Sequence, residues 1–222
     1  MPDRPVHVHI QELSQVLVDI STRVVGNLFE VLRAVKYQDE ESLPRIKLVE
    51  NELDKEEIDL EEKCIQFIAL QHPVAKDLRT IFAIMMISDE LERIGEISLH
   101  IMEAMISISQ DLLELLEFKS MIMLAGEMVT KSIDAFVLQD RDIADQVCAH
   151  DDEVDTIHRA AFKKVTALMK IADADVVGLT NALGVSRNIE RMADHAERIA
   201  QEVIYLVTGE LVQHKDPHDD LL

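Results

Sequence analysis

The sequence predicts an all-α protein made of two pseudo-symmetric antiparallel three-helix bundles, six long helices in all. Three observations predict it. Apolar residues recur at spacings of three and four along almost the whole chain, and strict period-two alternation is absent. Turn residues and sheet-filling aromatics are scarce: 222 residues include only 6 Gly, 5 Pro, 2 Tyr, 6 Phe and no Trp, which argues against an all-β or doubly wound α/β fold. The second hundred residues also echo the first.

The expected helices follow from the stripes and their punctuation. The first, 10–37, carries Leu13, Leu17, Ile20, Val24, Leu28 and Val31 and stops at Tyr37-Gln38-Asp39. The second, 41–71, carries Ile46, Val49, Leu53, Leu60, Cys64 and Phe67. The third, 74–108, adds Ile81, Met85 and Leu91 to the first core, with Pro73 suited to its first turn, where a missing N–H costs nothing. Ser109 to Asp111 separates it from the fourth, 112–138. Asp140 and Asp173 are placed to cap the fifth, 141–171, and the sixth, 174–208, by accepting hydrogen bonds from free N–H groups. Gly209 ends the sixth. Helices of this length on short turns run antiparallel. Met85, Met86, Met102, Met105, Met121, Met123 and Met128 follow helical spacing and are expected as flexible core or a packing seam rather than metal ligands. The expected domains are 10–110 and 111–210, and the stretch 211–222, with no apolar stripe, is expected as a flexible tail.

The repeat underlies that division. Tyr37-Gln38-Asp39 recurs as Leu138-Gln139-Asp140, and Glu50-Asn51-Glu52-Leu53-Asp54 falls on Asp151-Asp152-Glu153-Val154-Asp155 at the same offset. Leu91-Glu92-Arg93-Ile94-Gly95-Glu96 aligns with Ile189-Glu190-Arg191-Met192-Ala193-Asp194 at an offset three residues shorter. The difference falls near Gln71-His72-Pro73, at a turn that tolerates an indel.

Charge narrows the partners. Asp and Glu number 43 against 22 Lys and Arg, a formal net charge of -21. A field of that sign repels phosphate backbones and anionic lipid, so nucleic-acid binding is disfavoured and cations or basic protein surfaces are favoured. Cys64 and Cys148 are isolated in helical patterns and form neither a disulfide framework nor a zinc motif. The start lacks the continuous apolar segment of a secretory signal. The longest apolar run, Ile81 to Ile87, is far short of the ~20 residues that cross a bilayer. The expectation is a cytoplasmic protein with no membrane insertion.

Chemistry centres on acids four apart, which share one helix face at about 6 Å and can chelate or bridge cations. Glu50/Asp54, Glu92/Glu96, Asp151/Asp155 and Glu190/Asp194 have this spacing. Chance alone supplies on the order of eight such pairs at this acid content, so a solvated acidic face explains any single one. What distinguishes these four is position: each unit has one pair on its second helix and one on its third. Like charges so placed cost a few tenths of a kcal/mol without a counter-ion. Arg93 and Arg191 are available as structural partners, and metal binding is the alternative. Glu57, His158, His100 and Arg198 extend the stripes, with surface placement the simpler assignment for each. Oxygen-rich pairs with little His suit Mg, Mn, Ca or iron. There is no phosphate-binding glycine loop, no G-x-S-x-G, no C-x-x-C, and no pair of E-x-x-H helices of the di-iron type. An enzyme is therefore not expected, although a metal store or metal-dependent carboxylate protein remains open.

Three stretches resemble the signature segments of the PhoU family. They are His72-Pro73-Val74-Ala75-Lys76-Asp77-Leu78-Arg79, Leu91-Glu92-Arg93-Ile94-Gly95, and Arg187-Asn188-Ile189-Glu190-Arg191-Met192-Ala193-Asp194-His195. The resemblance covers about residues 10–210. It implies two three-helix bundles and a regulatory adaptor of phosphate homeostasis that restrains phosphate uptake and the starvation response. The partners it implies are the ATPase subunit of a phosphate importer and a sensor histidine kinase, and the chain is expected as a homodimer. It also implies metal ions (Mg, Mn, Fe or Zn) held by Glu50, Asp54, Glu92 and Glu96 and by Asp151, Asp155, Glu190 and Asp194. Glu96 departs from the Asp usual in the family, so the first site is expected to be altered and the second to match. A PhoU-like regulator of another transporter is the alternative.

Overall fold

The computed structural model describes residues 5–37 and 39–210; Gln38 of the first expected turn and the stretch 211–222 lie outside the described residues. The described chain is helical throughout and contains no strand. Helix α1 spans Pro5–Tyr37 and leads through a short 3-10 turn, Glu40–Ser42, into α2, Leu43–Gln71. Then come α3, Lys76–Met105, α4, Gln110–Leu115, and α5, Phe118–Leu138. The last two are α6, Arg141–Leu168, and α7, Val176–Thr208.

Every residue of the α1 stripe is buried. The helix starts five residues before the sequence places it, because Val6 and Ile10 still find the core to pack against. In α2, Ile46, Leu53, Leu60, Cys64 and Phe67 are buried, whereas Val49 is only half-buried. Ile81 and Leu91 of α3 are fully enclosed, and Met85 packs on the core from its edge. Of the methionine series Met102, Met105, Met121 and Met128 are buried, while Met86 and Met123 face solvent.

Two of the expected helix-start residues stand outside the true starts. Pro73 is not in the first turn of α3: His72 (φ 47°) and Ala75 (φ 49°) take left-handed backbone and the helix begins only at Lys76. The cap of α7 is Asp175, whose carboxylate accepts from the Gly178 amide at 2.9 Å, while Asp173 (φ 61°) belongs to the preceding turn. Asp140 caps α6 as expected, accepting from the amides of Asp142 at 2.8 Å and Ile143 at 3.2 Å.

The fourth expected helix is two helices. Leu116 and Phe118, two residues apart, would project about 200° apart on one straight helix, yet both are buried. Glu117 in left-handed backbone (φ 59°) breaks the helix so that both turn inward. Lys164 of α6 fixes the break, donating to the Leu115 carbonyl and the Glu117 carboxylate, each at 3.1 Å.

Helices α1, α2 and α3 pack on one another, and α5, α6 and α7 do the same, which gives the two three-helix bundles. Helix α3 lies along α7, and α1 along α5, so the bundles meet in a broad seam and share one continuous apolar core. At Gly126 of α5 an added Cβ would stand 3.0 Å from Cδ2 of Leu28 on α1, so glycine permits that approach. Polar links also cross the seam. Lys76 donates to Gln139 at 2.8 Å, Asn181 to Ser107 at 2.9 Å, and His195 Nδ1 lies 2.5 Å from Glu90. Each bundle holds one cysteine: Cys64 on α2 and Cys148 on α6. Both are free, and burial pushes their thiols up to about 11 and about 12.

Candidate metal centres

The eight candidate carboxylates lie on four helices: Glu50 and Asp54 on α2, Glu92 and Glu96 on α3, Asp151 and Asp155 on α6, Glu190 and Asp194 on α7. On each helix the apolar stripe next to them faces the core, which carries these positions to the edge of the bundle rather than to its outermost face. All eight are half-buried, whereas neighbouring acids such as Glu52, Glu62, Asp152 and Glu153 are exposed. A freely solvated face would leave them all exposed alike.

The fold brings the pairs together within each bundle. Burial raises the Glu50 carboxyl of α2 first, and the repulsion of Asp54 and of Glu96 on α3 raises it further. Glu92 is raised by burial first, then by Glu96, Asp54 and Asp89, with Arg93 opposing. In the second bundle the effect is larger. Burial, then Asp194, Glu197, Asp155 and Glu190, push Asp151 up to about 7. Burial, then Asp194 and Asp155, push Glu190 up to about 7 as well. Asp194 is raised by its own burial, against the pull of Arg198.

The two bundles differ in how this repulsion is relieved. Arg93 lies across the first cluster, with Nε 3.3 Å from Glu92 and Nη1 3.4 Å from Glu96. In the second cluster Arg159 reaches Asp155 at 3.4 Å from the outer side, and Arg191 acts on Glu190 and Asp194 only through its field. His158 turns away from the carboxylates and pairs Nδ1 with Ser186 Oγ at 2.8 Å. Arg198 turns to the seam, 3.9 Å from Glu90.

Two buried carboxylate oxygens, Glu92 Oε2 and Asp151 Oδ1, have no hydrogen-bond partner. Arg93 Nε stands near the first of them without hydrogen-bond geometry. An orphaned buried carboxylate oxygen in each cluster, among oxygen donors only, fits a hard cation. Among the described residues no three His, Cys, Asp or Glu side chains are gathered closely enough to hold one ion between them. The carboxylates therefore approach one another without forming a closed cage.

Sequence reasoning missed two participants in the clusters and one pair at the seam. Asp89 raises Glu57 and Glu92, and Glu197 raises Asp151. Both stand one turn from a paired acid, Asp89 before Glu92 and Glu197 after Asp194, a spacing that could have flagged them. The Glu90–His195 pair joins residues 105 apart in the chain, and no local pattern announces it.

Fold and sites together define a duplicated three-helix-bundle protein with a carboxylate cluster at the edge of each copy. The model of the PhoU domain matches the chain twice, at residues 17–105 and 118–203. The chain belongs to the PhoU family. It is similar to a phosphate-specific transport system accessory protein PhoU homolog of Clostridium acetobutylicum, 30% identical over 212 residues, covering 93% of this chain and 96% of that one. It is also similar to homolog 1 of Thermotoga maritima, 29% identical over 210 residues, covering 91% and 90%. Among solved structures, the phosphate transport system regulatory protein PhoU from Streptococcus pneumoniae superposes with a TM-score of 0.87 at 26% identity, covering 94% of this chain and all of that one. PhoU from Pseudomonas aeruginosa superposes with a TM-score of 0.84, also at 26% identity, covering 92% and 99%. No helix among the described residues is long and apolar enough to cross a membrane.

Proposed function

We propose that this chain regulates phosphate transport as a non-catalytic adaptor. In this reading it restrains uptake and the starvation response through contacts with the ATPase subunit of a phosphate importer and with its sensor histidine kinase, working in the cytoplasm as a homodimer. The observation that carries the reading is the match of both bundles, over nearly the full length, to proteins named as accessory to phosphate-specific transport. A charge of -21 on long exposed helices suits recognition of basic protein surfaces.

Metal ions enter the same proposal. Glu50, Asp54, Glu92 and Glu96 would hold metal at the first cluster, and Asp151, Asp155, Glu190 and Asp194 at the second. The support is the half-burial of all eight, the raised carboxyls and the orphaned oxygens. Bound metal would supply positive charge that cancels the repulsion and draws two helices together. Because Arg93 already occupies the first cluster, the second is the stronger candidate.

Deleting the gene in its host tests the regulatory reading. Starvation genes should stay on in phosphate-rich medium and cell phosphate should rise; normal repression and normal phosphate content, with no second copy present, would refute it. The metal reading is tested separately by metal content and melting temperature before and after chelation. Wild type should lose both metal and stability, and the double variant Glu190→Ala, Asp194→Ala should lose most of its bound metal. No bound metal and no change on chelation would leave these acids as an acidic surface only.

A further inference from the structure

The break between α4 and α5 opens a cleft of about 640 Å³ between the end of α1, the end of α3 and the start of α5. A volume of that order suits a small molecule. Its lining differs in sign from the rest of this acidic protein. Arg33 and Lys36 reach it from α1 and Lys119 from α5. The acids present are Glu114 and Glu117, and the Glu117 carboxylate is drawn off by Lys164 at 3.1 Å. Arg33 is itself engaged by Glu30 at 2.9 Å, which leaves Lys36 and Lys119 as the cations that set the local sign. Two other clefts contrast with it. One next to it, of about 260 Å³, is lined by Asp39 and Glu40, and another, of about 330 Å³, by Asp111, Asp173 and Asp175.

Three further features point to the kind of anion. The Tyr37 ring is 66% exposed at the rim, with Lys36 Nζ 5.1 Å from its centroid, an aromatic face and a cation presented together. Leu113 and Phe118 line the interior, so the cleft is apolar beside its cations. The 21-residue helix α5 starts in the cleft with no side-chain cap, and its first amides and dipole favour negative charge there. Cations, an uncapped helix start and an exposed aromatic ring together match a ligand with a phosphate at one end and a flat apolar body at the other.

We propose that this cleft binds a nucleotide, with the phosphates met by Lys36, Lys119 and the α5 N-terminus and the base set against Tyr37. The site is separate from the carboxylate clusters, and the proposal does not depend on the regulatory reading above. The test is titration of the full chain with ADP, by calorimetry and by anisotropy of N-methylanthraniloyl-ADP. EDTA is kept present so that a metal–nucleotide complex at the acidic clusters contributes nothing. Saturable binding is expected, weakened about tenfold in the double variant Lys36→Gln, Lys119→Gln and again in Tyr37→Ala, and unchanged in Glu190→Ala, Asp194→Ala. These cleft residues are exposed, so the variants should keep the wild-type melting temperature, which is checked alongside. Adenosine and inorganic phosphate should each compete more weakly than ADP. No saturable binding at millimolar ADP, or equal binding in the lysine variant, overturns the site. Phosphate competing as well as ADP overturns the nucleotide assignment.

Discussion

Raising the pH from 5 to 8 in EDTA should destabilise this protein, and the second carboxylate cluster should be the main reason. In the folded chain Asp151 and Glu190 titrate at about 7, against ordinary values of 3.8 and 4.5. Between those values and 7 the native state holds protons that the unfolded chain has released, so stability falls as pH rises across that window. Below the ordinary carboxylate range both states are protonated and the effect vanishes. At ~1.4 kcal/mol per pH unit, the two units between pH 5 and the folded value of about 7 correspond to roughly 3 kcal/mol for each group taken alone. The two share the same mutual repulsion and are partly wetted, which brings the pair to roughly 4 kcal/mol in all. For a chain of this size that is a drop of about 10 °C in Tm. Urea midpoints and Tm at pH 5, 6, 7 and 8 measure it, with Asp151→Asn, Glu190→Gln as the comparison. The double variant should lose most of the dependence, since its amides carry no charge to repel. A Tm that is flat or rising over this range in wild type would refute the reasoning, and so would an equal fall in the variant.

Other outcomes follow from single contacts, each read by urea unfolding. Removing the α6 cap with Asp140→Ala should cost about 1 kcal/mol, because two amides lose their acceptor. His72→Gly should stabilise by about 0.5–1 kcal/mol, since the residue after α2 holds left-handed backbone at no side-chain gain. Glu90→Ala should cost about 1–3 kcal/mol by orphaning the buried His195 at the seam, and Glu90→Gln should recover part of that.

The helices were legible because the apolar spacing of α1, α2 and α3 is a direct image of what the bundle buries. The break at Glu117 was not. Leu112 to Lys119 contains neither Gly nor Pro and reads as unbroken helix, and only the need to bury Leu116 and Phe118 together bends it. Pro73 and Asp173 were misplaced for a related reason: each is a good helix-start residue standing just outside the true start, and left-handed Ala75 and capping Asp175 decide the boundary. The four carboxylate pairs were legible through the repeat, since duplication places equivalent residues at equivalent depth. The Glu96-for-Asp194 difference was legible too, but the part played by arginine was not, because Arg93 and Arg191 occupy equivalent positions in the repeat and only the folded side chains place Arg93 across its pair. Nor could it reveal the Glu90–His195 link, which exists only once α3 lies against α7.

The two cysteines give this molecule a pair of native clocks. A thiol held at about 11 or about 12 by burial is almost wholly in its unreactive form near neutrality. Alkylation of the fully enclosed Cys64 then proceeds only as fast as the surrounding helices open, and the half-buried Cys148 is slowed by the same burial. With Cys64 in one bundle and Cys148 in the other, timed labelling and mass measurement of each peptide would follow the two halves separately, without introducing a probe. Equal rates would mean that the seam makes the halves open as one body, and unequal rates would show which half yields first.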